Sequence, residues 1–316
     1  MPLPALSAEH FEVVTVTLNP AIDRTLTIPR FTAGTVNRVL HEESRAGGKG
    51  INVAFVLAQL GHRVAATGIL GDENDGSFKT LFASNRIHDA CVRITGATRL
   101  GIKVFDPDRF ETTDINLPGL APNGTALEQI ESLLLGLTTD WCVLAGSLPP
   151  GVPVTYYADL IRQLRRRGVR VALDTSGEPL RAALSAGPTL IKPNRHELEQ
   201  LLGRTLDTAA AQVEAARSLL SPGISEVILS QGESGAWFVT AEHVLHARPP
   251  TMAVRSTVGA GDAMVAGAVS AHLRGIDPAA RARFATATSL AALTRSPADA
   301  YDATALAELG RQVTIS

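Results

Sequence analysis

Cysteine is nearly missing from this chain: Cys91 and Cys142 are the two in 316 residues, far apart, with no CxxC and no histidine at ligand spacing. That excludes a disulfide framework and a structural zinc site, and both read as reduced core residues of a cytoplasmic protein. Surplus charge is missing too. The 29 Lys plus Arg and 31 Asp plus Glu leave a formal net charge of -2, which is no footprint for nucleic acid or an anionic membrane surface. No apolar run approaches the roughly 18 to 20 residues that a membrane span needs. Met1 to Glu12 carries no Lys or Arg ahead of an apolar stretch, so no leader peptide is expected. Apolar residues, by contrast, make up 45% of the chain, enough to bury a large core and to exclude disorder as the main state.

Four segments read as buried strands: Val13 to Leu18, Trp141 to Ala145, Val169 to Leu173 and Val227 to Leu229. Between them Ile51 to Leu60, Val154 to Arg167, Glu197 to Leu202 and Ala209 to Leu220 have the length and apolar spacing of helices laid on a sheet. That alternation predicts a doubly wound α/β sheet flanked by helices. From Gly259 to about Leu309 the chain is Ala-rich and reads as helix, interrupted near Pro278 and Ser296-Pro297, with Gly310 as its stop. Two segments break the rhythm, Arg24 to Leu40 and Val92 to Leu117. Both read as short antiparallel strands that pair as a small second sheet, inserted in one domain spanning residues 1–316. A small sheet leaves a face that must meet a ligand, another domain or a second subunit. Arg162 to Arg167 is the one basic run, and at a helix end it reads as dipole complement and solvated face.

Ser256 to Asp262 is the sharpest local feature, with Gly259-Ala260-Gly261-Asp262 opening an apolar helix. Small residues at a helix start leave backbone N–H groups bare, and together with the dipole they form an anion site suited to phosphate. A first-turn Asp also reads simply as a dipole partner. A Rossmann fingerprint is excluded, because its third glycine falls at Met264, and with it the reading of an NAD-dependent oxidoreductase. A Walker A loop is excluded because Gly50 follows Lys49 where Ser or Thr is needed. Gly47-Gly48-Lys49-Gly50, followed by Asn52, is a second glycine-rich turn into a helix, with a cation at its mouth. Lys192-Pro193-Asn194 through Glu197 places Asn194 and Glu197 three apart at a helix start, a spacing that a capping box also explains.

These motifs, with Ser230-Gln231-Gly232-Glu233-Ser234-Gly235, stand in the order and at roughly the spacing of the ribokinase-like (PfkB) carbohydrate kinases, which the chain resembles from about Val13 to Leu309. The resemblance implies a ribokinase-like α/β domain with a small β-sheet lid, using ATP and Mg2+ to phosphorylate a ketose phosphate. Leu18 to Asp23, Thr113 to Asn116 and Gly146 to Gly151 resemble most the members acting on fructose 1-phosphate at its 6-hydroxyl. Tagatose 6-phosphate and fructose 6-phosphate are the alternatives within the family. A catalytically silent sugar-phosphate sensor is the alternative outside it, disfavoured because Asp262 is present.

Carried over residue by residue, the resemblance makes Asp262 the catalytic base and Gly259, Ala260 and Gly261 the N–H donors to the transferring group. It assigns Asn194 and Glu197 to the metal, acting through water, and Lys192, Asn194, Ser230, Gln231, Gly232, Glu233, Ser234, Gly235 and Gly261 to the nucleotide. Asp23 matches the acceptor of sugar-hydroxyl bonds, with Gly48 and Asn52 beside it. Lys49, Arg99 and Arg38 are the candidate cations for the substrate's own phosphate, and Lys103, two residues on from Gly101, is expected on the same strand face. This sequence departs from its relatives at Gly101, where they commonly carry Asn, so a sugar contact expected from that side chain is missing. A homodimer through the lid is the implied assembly.

Overall fold

The computed structural model describes residues 9–252, 259–294 and 301–316. In chain order these form β1 (His10–Thr17), β2 (Ala21–Thr27), β3 (His41–Gly47), α1 (Lys49–Gln59), β4 (Val64–Gly71), α2 (Gly76–Ser84) and β5 (His88–Ile94). Next come β6 (Leu100–Asp106), β7 (Glu111–Asn116), α3 (Gly124–Gly136), β8 (Thr138–Ala145), α4 (Tyr156–Arg166), β9 (Arg170–Asp174), α5 (Gly177–Leu184) and β10 (Leu190–Ile191). The chain ends with α6 (Arg195–Leu202), α7 (Ala209–Ser218), β11 (Glu226–Ser230), β12 (Ala236–Val239), β13 (Val244–Arg248), α8 (Ala260–Leu273), α9 (Pro278–Thr294), α10 (Ala303–Gln312) and β14 (Thr314–Ile315).

Among the described residues ten strands form one sheet in the order β14-β13-β12-β11-β10-β9-β8-β1-β4-β5. It is parallel from β11 to β5 and antiparallel over β12, β13 and β14. Strand alternation sorts the core into two layers. Val14, Val16, Cys142 and Leu144 pack under α3 to α7, while Val13, Trp141, Val143 and Ala145 pack under α1, α2, α8, α9 and α10. A parallel sheet covered on both faces needs strands apolar on both sides, which is why all eight residues of β4 are buried. Strand order reverses at β1, which has β4 on one side and β8 on the other. In such sheets ligands bind outside the carboxyl ends of the strands at that switch point.

The sheet holds more strands than the four read from sequence. β4 carries Gly68 and Gly71, β5 interleaves His88, Asp89 and Arg93 with its apolar residues, and β10 has two residues, so none shows a clean apolar run. Gly310 does not end a helix: α10 runs past it to Gln312, and β14 then pairs with β13. The readings on Ala253 to Val258 and on Ser296-Pro297 lie outside the described residues. Among the described residues no helix is long and apolar enough to cross a membrane.

A separate four-stranded sheet has the order β3-β2-β6-β7. Its make-up differs from the expectation in three respects. Residues 28–40 run as loop, and the strand that pairs with β2 is β3, whose HEESRAG sequence is polar on both faces and has no alternation to read. Val92 to Ile94 belong to β5 in the large sheet. The central pair, β2 with β6, is parallel, whereas β2 with β3 and β6 with β7 are antiparallel. Val36, Val39, Leu40, Phe110, Ile115 and Leu117, on this sheet and its loops, are exposed.

Candidate active site

The starts of α1 and α8 converge beyond the carboxyl ends of the parallel strands. Each helix is entered through a glycine in a conformation that side chains avoid: Gly48 at φ 118° before α1 and Gly259 at φ 80° before α8. The tight entry puts Asn52 in the first turn of α1 against Asp262 in the first turn of α8, where Asn52 Nδ2 donates to Asp262 Oδ2 at 2.8 Å. Asp262 is buried. Burial first and the charge of Asp174 second push its carboxyl up to about 6, against the opposing pull of the Asn52 hydrogen bond, Lys49 and Lys192. A carboxylate with that affinity for a proton is matched to general-base work near neutral pH.

Asp174, at the end of β9, organises the cations. Its side chain is 1% exposed, and Oδ1 lies 3.1 Å from Lys49 Nζ and 3.5 Å from Lys192 Nζ. Burial opposes its charge, but the two ammonium groups override that and hold the carboxyl below its ordinary value. For Lys49 burial likewise works against the charged form, and Asp174, Asp262 and Glu197 outweigh it, leaving the ammonium more basic than usual. Lys192 Nζ comes 3.3 Å from where a Cβ on Gly261 would sit, so it lies along the first turn of α8. Two cations therefore flank the N–H groups of Gly259, Ala260 and Gly261, which have no acceptor among the described residues, an arrangement that gathers negative charge.

Next to this centre, β10 leads into α6. Asn194 Oδ1 accepts the Glu197 N–H and Glu197 Oε2 accepts the Asn194 N–H, both at 2.8 Å, a complete capping box. A bridge from Asn194 to Ser230 brings the end of β11 alongside. There Gly232, Glu233 and Ser234 form an exposed 3-10 turn closed by the Gln231 N–H to the Gly235 carbonyl at 2.8 Å, while Gln231 Nε2 donates to Gln212 Oε1. His246 stacks on Trp237 with ring centroids 4.1 Å apart and bonds the Ser234 carbonyl through Nε2 at 3.0 Å. Arg248 Nε donates to its Nδ1 at 2.8 Å, which fixes Nε2 as the protonated nitrogen.

The small sheet supplies a polar face. Asp23 on β2 pairs with Arg45 on β3 and with Gly101 on β6. Burial raises the Asp23 carboxyl above its ordinary value, against the pull of Lys103, Arg45 and Arg99. Lys103 Nζ pairs with Asp114 Oδ1 at 2.9 Å. Arg99 spends its guanidinium on loops: Nε and Nη2 donate to the Asn19 carbonyl at 3.4 and 3.3 Å, and Nη1 to the Leu117 carbonyl at 3.3 Å. Gly48, Lys49, Asn52 and Asp262 are thus brought together with Lys192 and Gly261. Arg38 stands apart, exposed on the 28–40 loop with no ion pair among the described residues. Asp174 was missed by sequence reasoning; its one signal is an acid directly ending an apolar run.

The model of the pfkB family carbohydrate kinases matches residues 12–305. This chain belongs to that family. It is 46% identical to the 1-phosphofructokinase of Rhodobacter capsulatus, over 96% of this chain and 97% of that protein. With the 1-phosphofructokinase of Vibrio cholerae it shares 40% identity, over 96% of each. Among solved structures, phosphofructokinase-2 from Escherichia coli in complex with substrates and products superposes with a TM-score of 0.89 at 30% identity, covering 95% of this chain and 98% of that one. The same Escherichia coli enzyme has been solved as a tetrameric inhibited form, with a TM-score of 0.87.

As a pfkB family kinase the chain is an enzyme that uses ATP, and kinases of this kind work with a divalent ion. The donor set here fits such an ion only as a partner of the nucleotide. No group of three or more His, Cys, Asp or Glu is placed to hold a metal among the described residues. Glu197 has Oε2 committed to its cap and Oε1 left over. One carboxylate oxygen beside an anion site suits a hydrated cation that arrives on phosphate, not a resident cage.

Proposed function

We propose that this kinase phosphorylates fructose 1-phosphate at its 6-hydroxyl with magnesium ATP, giving fructose 1,6-bisphosphate and ADP. The observation that carries the reading is Asp262: a buried carboxylate, poised near 6, directly inside a helix N-terminus flanked by two lysines. The names of the relatives at 46% and 40% identity support the choice of acceptor.

In this mechanism Asp262 takes the hydroxyl proton as the hydroxyl oxygen bonds to the γ-phosphorus and the bond to the β-bridging oxygen breaks. Asn52 holds the Asp262 carboxylate in place. The transition state is loose and its charge sits on the transferring group, so the N–H groups of Gly259, Ala260 and Gly261 with Lys49 and Lys192 do most of the stabilising. Removing one such positioned donor costs on the order of 10² to 10³ in turnover elsewhere. Glu197, oriented by Asn194, is the residue that would hold the water shell of a magnesium ion arriving with ATP, and that ion would supply charge neutralisation to the phosphates. The turn from Ser230 through Gln231, Gly232, Glu233 and Ser234 to Gly235 receives the nucleotide. Asp23 reads sugar hydroxyls, and Arg99, Lys103 and Arg45 set a positive field for the existing phosphate. Lys49, by its pairing with Asp174, belongs to the transfer end.

The small sheet acts as a lid over the sugar, and its exposed Val36, Leu40, Phe110 and Ile115 dock on a second copy to give a homodimer. The free thiols of Cys91 and Cys142 suit a reducing cytoplasm. A coupled ADP-release assay over fructose 1-phosphate, tagatose 6-phosphate and fructose 6-phosphate tests the acceptor: the highest kcat/KM is expected for fructose 1-phosphate, and a higher value for either other sugar overturns that choice. Light scattering at micromolar concentration tests the dimer, and a monomeric mass with full activity refutes it.

A further inference from the structure

Gln212 and Gln231 make a contact that the transfer chemistry does not use. The buried residues of α7 are Gln212, Ala215 and Ala216, so an amide lies where the helix otherwise buries alanine. A polar group taken out of water is costly unless it is hydrogen-bonded, and Gln212 is bonded at both ends. Its Nε2 donates to the Leu206 carbonyl at 2.9 Å, and its Oε1 accepts Gln231 Nε2 at 2.5 Å. A carbonyl can only accept, so Leu206 settles which way the Gln212 amide faces and turns its oxygen to Gln231. Leu206 is itself fixed. It is fully buried, and its N–H donates at 2.9 Å to Glu199 Oε1, which also accepts Arg195 Nε at 2.9 Å. Arg195 and Glu199 lie on α6, which begins directly after Asn194.

At its other end this chain of bonds reaches the turn that receives the nucleotide in the proposed mechanism. Gly232, Glu233 and Ser234 are exposed, so core packing does not fix them. The turn is fastened at its two ends instead. His246 Nε2 bonds the Ser234 carbonyl, and Gln212 holds the side chain of Gln231, whose own N–H closes the turn on the Gly235 carbonyl. We propose that Gln212 is a positioning residue for ATP: by holding Gln231 it sets the turn in the shape that receives the nucleotide, and through Leu206 and Glu199 it sets that turn relative to α6 and the Asn194–Glu197 pair. A loop ordered before its ligand arrives gives higher affinity, because binding no longer bears the cost of ordering it. This rests on the turn receiving the nucleotide, but not on which ketose phosphate is the acceptor.

The test uses the full-length enzyme and measures Kd for ATP by calorimetry, together with kcat, and KM for whichever ketose phosphate the wild type turns over best. Gln212→Met keeps the length of the side chain and loses both bonds; Gln212→Asn, too short to span Leu206 and Gln231, replaces it should the methionine variant fail to fold. One neutral hydrogen bond is a difference of roughly three- to tenfold, so Kd for ATP should rise by that factor while kcat and KM for the ketose phosphate stay near wild type. In a Gln231→Ala background the same substitution should add nothing, because a residue that acts through Gln231 is silent once that side chain is gone. A rise that persists in that background, or an equal loss of affinity for both substrates, would show a merely structural role and overturn the proposal, as would an unchanged Kd. Gly232→Asp checks the nucleotide reading separately. It puts a negative charge on the turn at φ 58°, which Asp tolerates, with nothing within 4 Å of the new Cβ, so it should weaken ATP binding. If it does not, the turn does not receive the nucleotide and the proposal falls with that reading; if it does while the Gln212 variant binds ATP as wild type, the proposal alone is overturned.

Discussion

Replacing Asp174 with Asn tests the electrostatic logic of the centre, because it removes one charge and leaves the shape. In the wild type Asp262 binds its proton with a pKa of about 6, raised first by burial and second by the negative charge of Asp174. The base form is present above that pH and lost below it. Neutralising Asp174 removes the second cause. It also leaves Lys49 and Lys192, now without their shared carboxylate at 3.1 and 3.5 Å, to act on Asp262 unopposed. Both changes favour the charged carboxylate, so the pKa of Asp262 must fall. A nearby charge moves a carboxyl by about 1 to 3 units, and the acid limb of kcat/KM should move from about 6 to about 5 or lower. Turnover at pH 7.5 should fall in the same variant, since the two ammonium groups lose the anchor that aims them. Lys192 is 5% exposed, and leaving a buried charge without its partner costs about 3 to 5 kcal/mol elsewhere, so thermal unfolding should also occur at lower temperature. Coupled ADP detection across pH 4.5 to 8, with the fraction folded checked at each pH, gives the profile. An acid limb that stays near 6, or rises, would refute the assignment of Asp174 as the second source of the shift.

Other perturbations probe separate parts of the site. Asp262→Asn should leave ATP and sugar-phosphate binding nearly intact, measured by calorimetry, while turnover falls by at least about 10²; equal turnover would remove Asp262 as the base. His246→Phe keeps a ring on Trp237 but loses the bond to the Ser234 carbonyl, so KM for ATP should rise about three- to tenfold with kcat little changed; a fall in kcat alone would place His246 outside nucleotide binding. In Gly50→Ala the new Cβ would sit 2.4 Å from Thr17 Oγ1 and 2.9 Å from the Val16 carbonyl. Overpacking of this kind costs about 1 to 3 kcal/mol, visible as a lower Tm in scanning calorimetry, and an unchanged Tm would show that β1 yields at no cost.

How much of this was legible in the sequence depends on whether the signal is local. Gly259 to Asp262 and Gly47 to Asn52 announce themselves because a glycine turn into a helix is written in consecutive residues, and the structure joins them through one hydrogen bond. Asp174 could not be found that way. Its partner Lys49 is 125 residues distant, and the apolar run before it was read as ending at Leu173, one residue short. Asn194 and Glu197 show the opposite situation: the spacing was legible, but it had two explanations, and the capping box is present in full. β3 was illegible because a polar strand on a small sheet carries no alternation, whereas β1 and β8, buried on both sides, could hardly be missed. That Asp23 faces Gly101 was not legible either, since the two meet only through strand register.

That register ties the small sheet, where the proposed sugar contacts lie, to the Asn52–Asp262 pair by a short covalent route. β3 ends at Gly47, Gly48 follows, and α1 begins at Lys49, so the strand that packs against Asp23 continues without a loop into the helix turn bearing Lys49 and Asn52. On the other edge, Arg99 ties the start of β6 to the Asn19 carbonyl just beyond β1 and to the Leu117 carbonyl just beyond β7. If the small sheet closes over the sugar as proposed, a change in how it sits must be felt at α1, where Asn52 donates to the Asp262 carboxylate at 2.8 Å. Misplacing a reacting group by about 1 Å can cost on the order of 10²-fold in rate. A correct acceptor can thus align the base as it binds, and a poor one can occupy the site without doing so, which predicts discrimination among ketose phosphates that appears in kcat as well as in KM.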